Sequence, residues 1–287
     1  AQQRALVALE RAYAANGDLE VAFYLSNTYR NLRRSDDSRR VAAETTARVE
    51  SGAWTTADDP LDAFRVGKLY EDQGRATEVV TWYGRAVEAM NDAPEDYLGA
   101  LRWALRYLGN VAFSRADFDE AVARFGRLVE LDGSDPRAWD HLAVSRARML
   151  DWAGAEQAWR GSEAADPADG NRPRYLWRLA AQAVALGGVP SALPDGRTIA
   201  SLTKEDLEAV LEEQSAVVAA VQEELPEGTS PSEEDRRRLQ DRLDAAHAVF
   251  VAAGLEYGVR NHPIRETAFF GGYAPLIFHA HRWTIPE

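Results

Sequence analysis

The sequence predicts an all-α fold: a right-handed α-solenoid of helical hairpins, followed by a separate helical hairpin and an irregular apolar tail. Three observations predict it. Ala121 and Ala155 stand 34 residues apart with similar residues around both, and self-similarity at such a period is the mark of stacked helical repeats. Small and aromatic residues recur at spacings of three and four, which places them on one helix face. Near the C-terminus two long stretches carry capping signals ahead of apolar stripes.

The elements follow in chain order. Gln2–Ala15 reads as the second helix of an early unit, stopped by Asn16-Gly17. Leu19–Arg33 is a first helix, with Leu25, Ser26 and Tyr29 on its inner face, and Ser38–Glu50 is its partner. The next unit sets Ala63, Val66, Gly67 and Tyr70 against Val79, Tyr83 and Ala86. Another sets Leu105, Leu108, Gly109 and Ala112 against Ala121, Phe125 and Leu128. The clearest unit, Asp135–Pro167, pairs Trp139, Leu142, Ala143 and Arg146 with Ala155, Trp159 and Ser162. Asp166-Pro167 closes it, because proline disfavours helix in the residue before it. Arg174–Leu186 opens one more unit around Trp177, Ala180, Ala181 and Val184, stopped by Gly187-Gly188. Val189-Pro190-Ser191-Ala192-Leu193-Pro194 then breaks the pattern. The physics is the same throughout: small residues let paired helices approach, large ones fill the space between units, and stacking supplies a core that no single hairpin could bury.

Beyond the array, Thr203 with Asp206 forms a capping box ahead of Leu207, Val210, Leu211, Gln214, Val218, Val221 and Leu225. Pro226–Pro231 is turn-rich. Ser232 with Asp235 caps a second helix faced by Leu239, Leu243, Ala246, Phe250 and Gly254. The two read as an antiparallel hairpin, either capping the array or serving as a docking arm. The organisation expected is 1–190 for the array, 200–260 for the acidic hairpin and 261–287 for the tail. Ala268–Phe278 is too apolar for a free tail and too interrupted for a helix. It is expected to be buried, on this chain or on a partner, with Phe269, Phe270, Tyr273, Leu276, Ile277 and Phe278 as the docking residues.

Over Leu61 to Gly188 these units resemble the tetratricopeptide repeat (TPR) family. There are departures. Val79 and Ala121 lie 42 residues apart, which puts extra length in Asn91–Leu101. Arg146 stands where the family has an aromatic, and Leu128 and Ser162 stand where it has alanine. The resemblance implies that the first helix of each unit lines a concave, partner-binding face. On this chain that face would carry Arg65, Lys68, Trp103, Arg106, Asn110, Arg137, His141, Arg148, Tyr175, Arg178 and Gln182. The set is basic and aromatic, while the second helices carry Glu78, Glu88, Asp119, Glu120, Glu130 and Glu156. Arginine grips carboxylates with two hydrogen bonds, and Trp and Tyr anchor apolar groups. An acidic or C-terminal peptide would suit such a face. The bland alternative is that these arginines pair with acidic neighbours such as Glu71 and Asp140. The lysine–asparagine carboxylate clamp of some relatives does not carry over, since only Lys68 and Asn110 echo it, in different units.

Composition narrows the function. The chain has 287 residues and a net charge of −13, of which 201–260 contribute −8. That balance argues against nonspecific nucleic-acid binding, which needs a basic footprint. No run of apolar residues is long enough to span a bilayer. There are no cysteines, so disulfides, thiol catalysis and cysteine metal sites are excluded. The absence of cysteine, with a start at Ala1-Gln2-Gln3, suits an exported bacterial protein stripped of its leader; a cytoplasmic protein is the alternative. No Gly-x-Ser-x-Gly, phosphate loop or His-Glu-x-x-His occurs. The pairs Glu212-Glu213 and Glu223-Glu224 read as solvated helix faces. His279 and His281 would share a side of an extended strand, with His262, Glu266 or Glu287 as a third ligand, a weak metal pattern. His247, with only Asp244 one turn away, reads as structural.

The function expected is therefore a non-enzymatic bacterial protein–protein interaction scaffold without cofactor, holding a protein or peptide within a larger assembly. The alternative is a self-associating structural subunit with its tail docked on a neighbouring copy. A metal-dependent role at His279 and His281 comes third.

Overall fold

A computed structural model of the chain describes residues 2–54, 59–91, 95–169, 171–225, 231–260, 273, 276–277 and 283–285. The described secondary structure is helical: α1 (Gln2–Asn16), α2 (Leu19–Asn31), α3 (Ser35–Glu50), α4 (Pro60–Asp72), α5 (Ala76–Met90), α6 (Leu98–Ser114), α7 (Phe118–Leu131), α8 (Pro136–Arg148), α9 (Trp152–Ala165), α10 (Asn171–Ala185), α11 (Lys204–Glu224) and α12 (Glu233–Arg260). The fold is all-α and built of helical hairpins, as the spacing predicts. Half of the extra length between Val79 and Ala121 goes into α6, a helix of 17 residues where α4 has 13, and most of the rest into the connection between Met90 and Leu98.

Local chemistry sets the helix ends. Asp18, Asp59 and Asp135 cap α2, α4 and α8, each accepting from the backbone N–H two residues on at 2.7–3.0 Å. Pro60 and Pro136 occupy first-turn positions that have no N–H partner to lose. Thr203 and Asp206 form the reciprocal box on α11, at 3.1 and 3.0 Å.

The turn after each first helix repeats one geometry. A residue in the left-handed region follows the helix: Arg33 (φ 60°), Gly74 (72°), Ala116 (59°), Leu150 (62°) and Gly187 (72°). The next N–H then bonds back into the last helical turn, Arg34 to Tyr29 O, Arg75 to Tyr70 O, Asp117 to Ala112 O, Asp151 to Arg146 O and Gly188 to Ala183 O, at 2.9–3.0 Å. This is the Schellman closure. It recurs where glycine is absent, so the turn is enforced by hairpin packing more than by the turn residue.

Two compact units divide the chain, Ala1–Leu131 and Asp132–Glu287. In the first, α2/α3, α4/α5 and α6/α7 form successive hairpins, and α1 packs on α2. Leu6, Ala22, Leu25, Tyr29 and Val41 make a buried cluster there, with Leu9, Tyr13 and Leu32 against it. Close approach inside the hairpins depends on glycine. A Cβ on Gly67 would lie 2.5 Å from the Tyr83 ring, and one on Gly109 would lie 2.8 Å from the Phe125 ring.

In the second unit α8 and α9 form a hairpin, α10 packs on α9, and α11 pairs with α12. α12 also packs along α10: Leu179 fits over Gly254 and Leu176 over Gly258, where a side chain would collide. The acidic hairpin is thus joined to the array through buried residues of α12, including Phe250, Val251, Ala253, Leu255 and Tyr257. Arg260 fastens its end by donating to the carbonyls of Ile199, Ala200 and Leu202.

Candidate functional site

In the first unit the first helices of the hairpins, α2, α4 and α6, stand in a row, α4 contacting both α2 and α6. Their junction is built around Glu71 near the end of α4. Its carboxylate receives the Tyr83 hydroxyl at 2.5 Å, the Lys68 ammonium at 3.1 Å and the Trp103 indole N–H at 3.2 Å. Lys68 also lies under the Trp103 ring, 4.1 Å from its centroid. Burial of the ammonium pushes the Lys68 pKa down, and Glu71 opposes that shift. Burial, aided by the bond to Glu71, pushes the Tyr83 phenol up. Trp103 is therefore held by an ion pair beneath it while 48% of it remains exposed.

Aromatic rings run across the helices, with Tyr83 fully buried among them. Tyr24 meets Phe23 at 5.3 Å, Phe23 meets Phe64 at 6.3 Å, Phe64 stacks on Tyr83 at 5.7 Å and Tyr83 meets Tyr107 at 5.3 Å. Tyr24 is 47% exposed on α2. Beside the rings Arg30 pairs with Asp72 at 2.7 Å, and Asp72 also accepts from Ser26 and Ser38.

Several predicted contact residues sit differently from expectation. Arg65 is buried, donating to Asp59 at 2.5 Å, Asp62 at 2.8 Å and Glu20 at 3.0 Å. Lys68 is buried against Glu71. Their charges are neutralised inside the chain, so neither is a free cation for a ligand, and a basic character of this face loses its two buried members. Arg106 is half-buried and Asn110 exposed on α6.

Arg137 is exposed on α8, and His141 is half-buried with its Nδ1 donating to Arg137 O at 2.6 Å. Arg148 pairs with Glu256 of α12 at 3.2 Å. Tyr175 and Arg178 are half-buried on α10, with the Arg178 guanidinium 4.5 Å from the Trp177 ring centroid. Gln182 is fully buried and is a structural residue, contrary to its expected place on a binding face. It donates to Leu276 O at 3.0 Å and to Ile277 O at 3.4 Å, and its carbonyl accepts from His247 Nε2 at 3.2 Å. Thus α12 and the tail take two of the predicted partner contacts, Arg148 and Gln182.

The described tail residues pack on their own chain. Ile277, Trp283 and Ile285 are buried. Trp283 stacks on His247 at 4.2 Å, and Tyr273 meets Phe250 at 5.7 Å. Gln240 clasps the chain end, donating to Trp283 O at 2.7 Å and accepting from Ile285 N at 3.0 Å. Of the predicted docking residues, Tyr273, Leu276 and Ile277 therefore serve internal packing, and His247 is structural as expected. Phe269, Phe270 and Phe278 lie outside the described residues, as do His262, Glu266, His279, His281 and Glu287. Among the described residues no group of three or more His, Asp or Glu could hold a metal ion. No described helix is long and apolar enough to cross a membrane.

Sequence reading named Glu71 only as a pairing neighbour for arginines; the carboxylate pairs with Lys68 one turn before it, and its bonds to Tyr83 and Trp103 were missed. It also missed Gln240 and Trp283, which are 43 residues apart and carry no local signal of pairing.

Neither a family profile nor a curated protein matches the chain. Among solved structures it is similar to the TPR2AB-domain:pHSP90 complex of yeast Sti1, at 12% identity and TM-score 0.27, over 97% of this chain and 92% of that one. It is also similar to the C-terminal part of a TPR repeat-containing protein from Cytophaga hutchinsonii, at 14% identity and TM-score 0.45, over 93% of each chain. At these scores no residue role or ligand passes from either structure to this chain. The class, an all-α protein of tandem helical hairpins, rests on the turns, caps and ring contacts above.

Proposed function

We propose that the chain is a non-enzymatic protein–protein interaction scaffold whose first unit holds a peptide or partner segment across α2, α4 and α6. The observation that carries this reading is Trp103: a large ring, half exposed, fixed by Lys68 beneath it and Glu71 at its indole N–H. A ring already immobilised loses little conformational freedom when a ligand covers it, which is what makes aromatic anchors effective. Tyr24, Phe64 and Tyr107 extend apolar area to either side. With Arg65 and Lys68 neutralised, the ligand feature that fits best is an apolar or aromatic side chain laid on Trp103. An acidic preference would have to come from Arg106 or, in the second unit, from Arg137.

Random peptides displayed on phage and selected on the immobilised chain test this. Enriched peptides should carry an apolar or aromatic residue. Their affinity should fall in Trp103→Ala by about 2 kcal/mol, roughly 30-fold in Kd. Peptides that bind Trp103→Ala as tightly as the parent chain, or no enrichment at all, would remove the reading.

A further inference from the structure

Exposed charges on several helices of this protein are paired along the helix itself. Asp36 pairs with Arg39, Glu120 with Arg124 and Glu156 with Arg160, each at 2.7 Å. Other exposed charges stand outside such pairs, and on two helices they fall into stripes, although α11 also carries the pair Lys204–Glu208 at 3.7 Å. On α1 the exposed residues Arg4, Ala8, Arg11 and Ala15 form a stripe at spacings of four, three and four. Neither arginine has an ion-pair or hydrogen-bond partner among the described residues. Val7, 42% exposed, and Ala14 flank the stripe. On α11 the exposed residues Glu205, Ala209, Glu212 and Ala216 repeat the same spacing, and Ala219 and Glu223 continue it. Glu205, Glu212 and Glu223 likewise have no ion-pair or hydrogen-bond partner among the described residues, although the charge of Glu212 acts on the Tyr273 phenol of the tail.

We infer that α1 of one copy docks on α11 of a second copy of this chain. The two stripes match in period, in side-chain size and, with opposite sign, in charge. Spacings of four and three keep a seam on one side of a helix, as in coiled coils. Alanine at every second position of the seam lets the axes approach closely. Arginine at the positions between would then meet glutamate across the seam, and each stripe neutralises the other. A solvated face would not need to segregate its signs in this way. The contact joins two different surfaces, so each copy offers one acceptor and one donor face, and association either closes into a ring or continues.

The test is the mass of the full chain by in-line light scattering and sedimentation, from micromolar to millimolar concentration. The wild type should associate, and more weakly as salt rises from about 50 to about 500 mM. Arg4→Glu with Arg11→Glu should weaken association at least tenfold, and so should Glu205→Arg with Glu212→Arg. All four substitutions in one chain should restore it, because the charges are then exchanged and complementary again. Circular dichroism should be unchanged throughout, since the four side chains are exposed. A chain that stays monomeric at every concentration overturns the inference. So does association that ignores both reversals, or that is lost only when residues 261–287 are deleted, which would point to the tail. None of these outcomes depends on peptide binding at Trp103.

Discussion

At the scale of single residues, the first-helix turns show how much local strain packing can impose. Leu150 sits at φ 62° and is 69% exposed. A branched L-residue there costs roughly 1–2 kcal/mol, of which glycine would return part to unfolded-state entropy. Little side-chain packing would be lost. Leu150→Gly is therefore expected to stabilise the chain by about 0.5–1 kcal/mol, read as a higher melting temperature. An unchanged or lower melting temperature would mean that the exposed leucine makes contacts that matter. Arg33 and Ala116 share the conformation, so the strain is a property of the repeat. The inverse case is Gly109, where an added methyl would run into Phe125. Sequence spacing identified that glycine, because small and aromatic residues recur in register. It could not identify Leu150 as strained, because leucine is a poor marker of a left-handed turn.

Among elements, α12 and the tail decide how the second unit ends. The sequence reading placed α11 and α12 correctly from their caps and stripes. It could not show that α12 lies on α10, because the contact joins Leu176 and Leu179 to Gly258 and Gly254 across a large sequence separation. The tail is fastened by Gln182, Gln240 and the His247–Trp283 stack. Trp283→Ala removes the ring that stacks on His247 and packs on Phe250, and is expected to cost about 3 kcal/mol, the lower end for a buried aromatic. Native-state hydrogen exchange should show the loss as faster exchange in α10 and α12, with α4 unchanged. Equal protection in both proteins would place the tail outside the cooperative core. The candidate site shows the same division. Trp103 and Lys68 were both legible as surface candidates on first helices. That Lys68 is buried under Trp103, with its charge met by Glu71, follows only from how α4 and α6 pack.

For the whole molecule, tyrosine ties stability to pH in the first unit. Tyr70 is pushed up to about 12 by burial and its bond to Glu50, and burial raises Tyr13, Tyr29, Tyr83 and Tyr107 as well. The folded state thus keeps phenol protons that the unfolded chain releases near pH 10. Below that pH the stabilisation is complete. As pH rises through about 10 to 12 the unfolded state binds fewer protons and stability falls. Tyrosinate absorbance of the native chain should lag behind that of the denatured chain over this window and appear together with unfolding. Ionisation at the ordinary phenol value with the helices intact would contradict the burial assigned to these rings.

The sequence by itself determined the helices, their order, most of their ends and the glycine–aromatic register inside each hairpin. These depend on neighbours one helical turn apart or on a repeat that states itself several times. Only the tertiary structure decided which charges are neutralised, where α12 and the tail lie, and which aromatic ring stays exposed. Such contacts join residues distant in sequence, and whether a side chain is buried or free depends on all the elements around it at once.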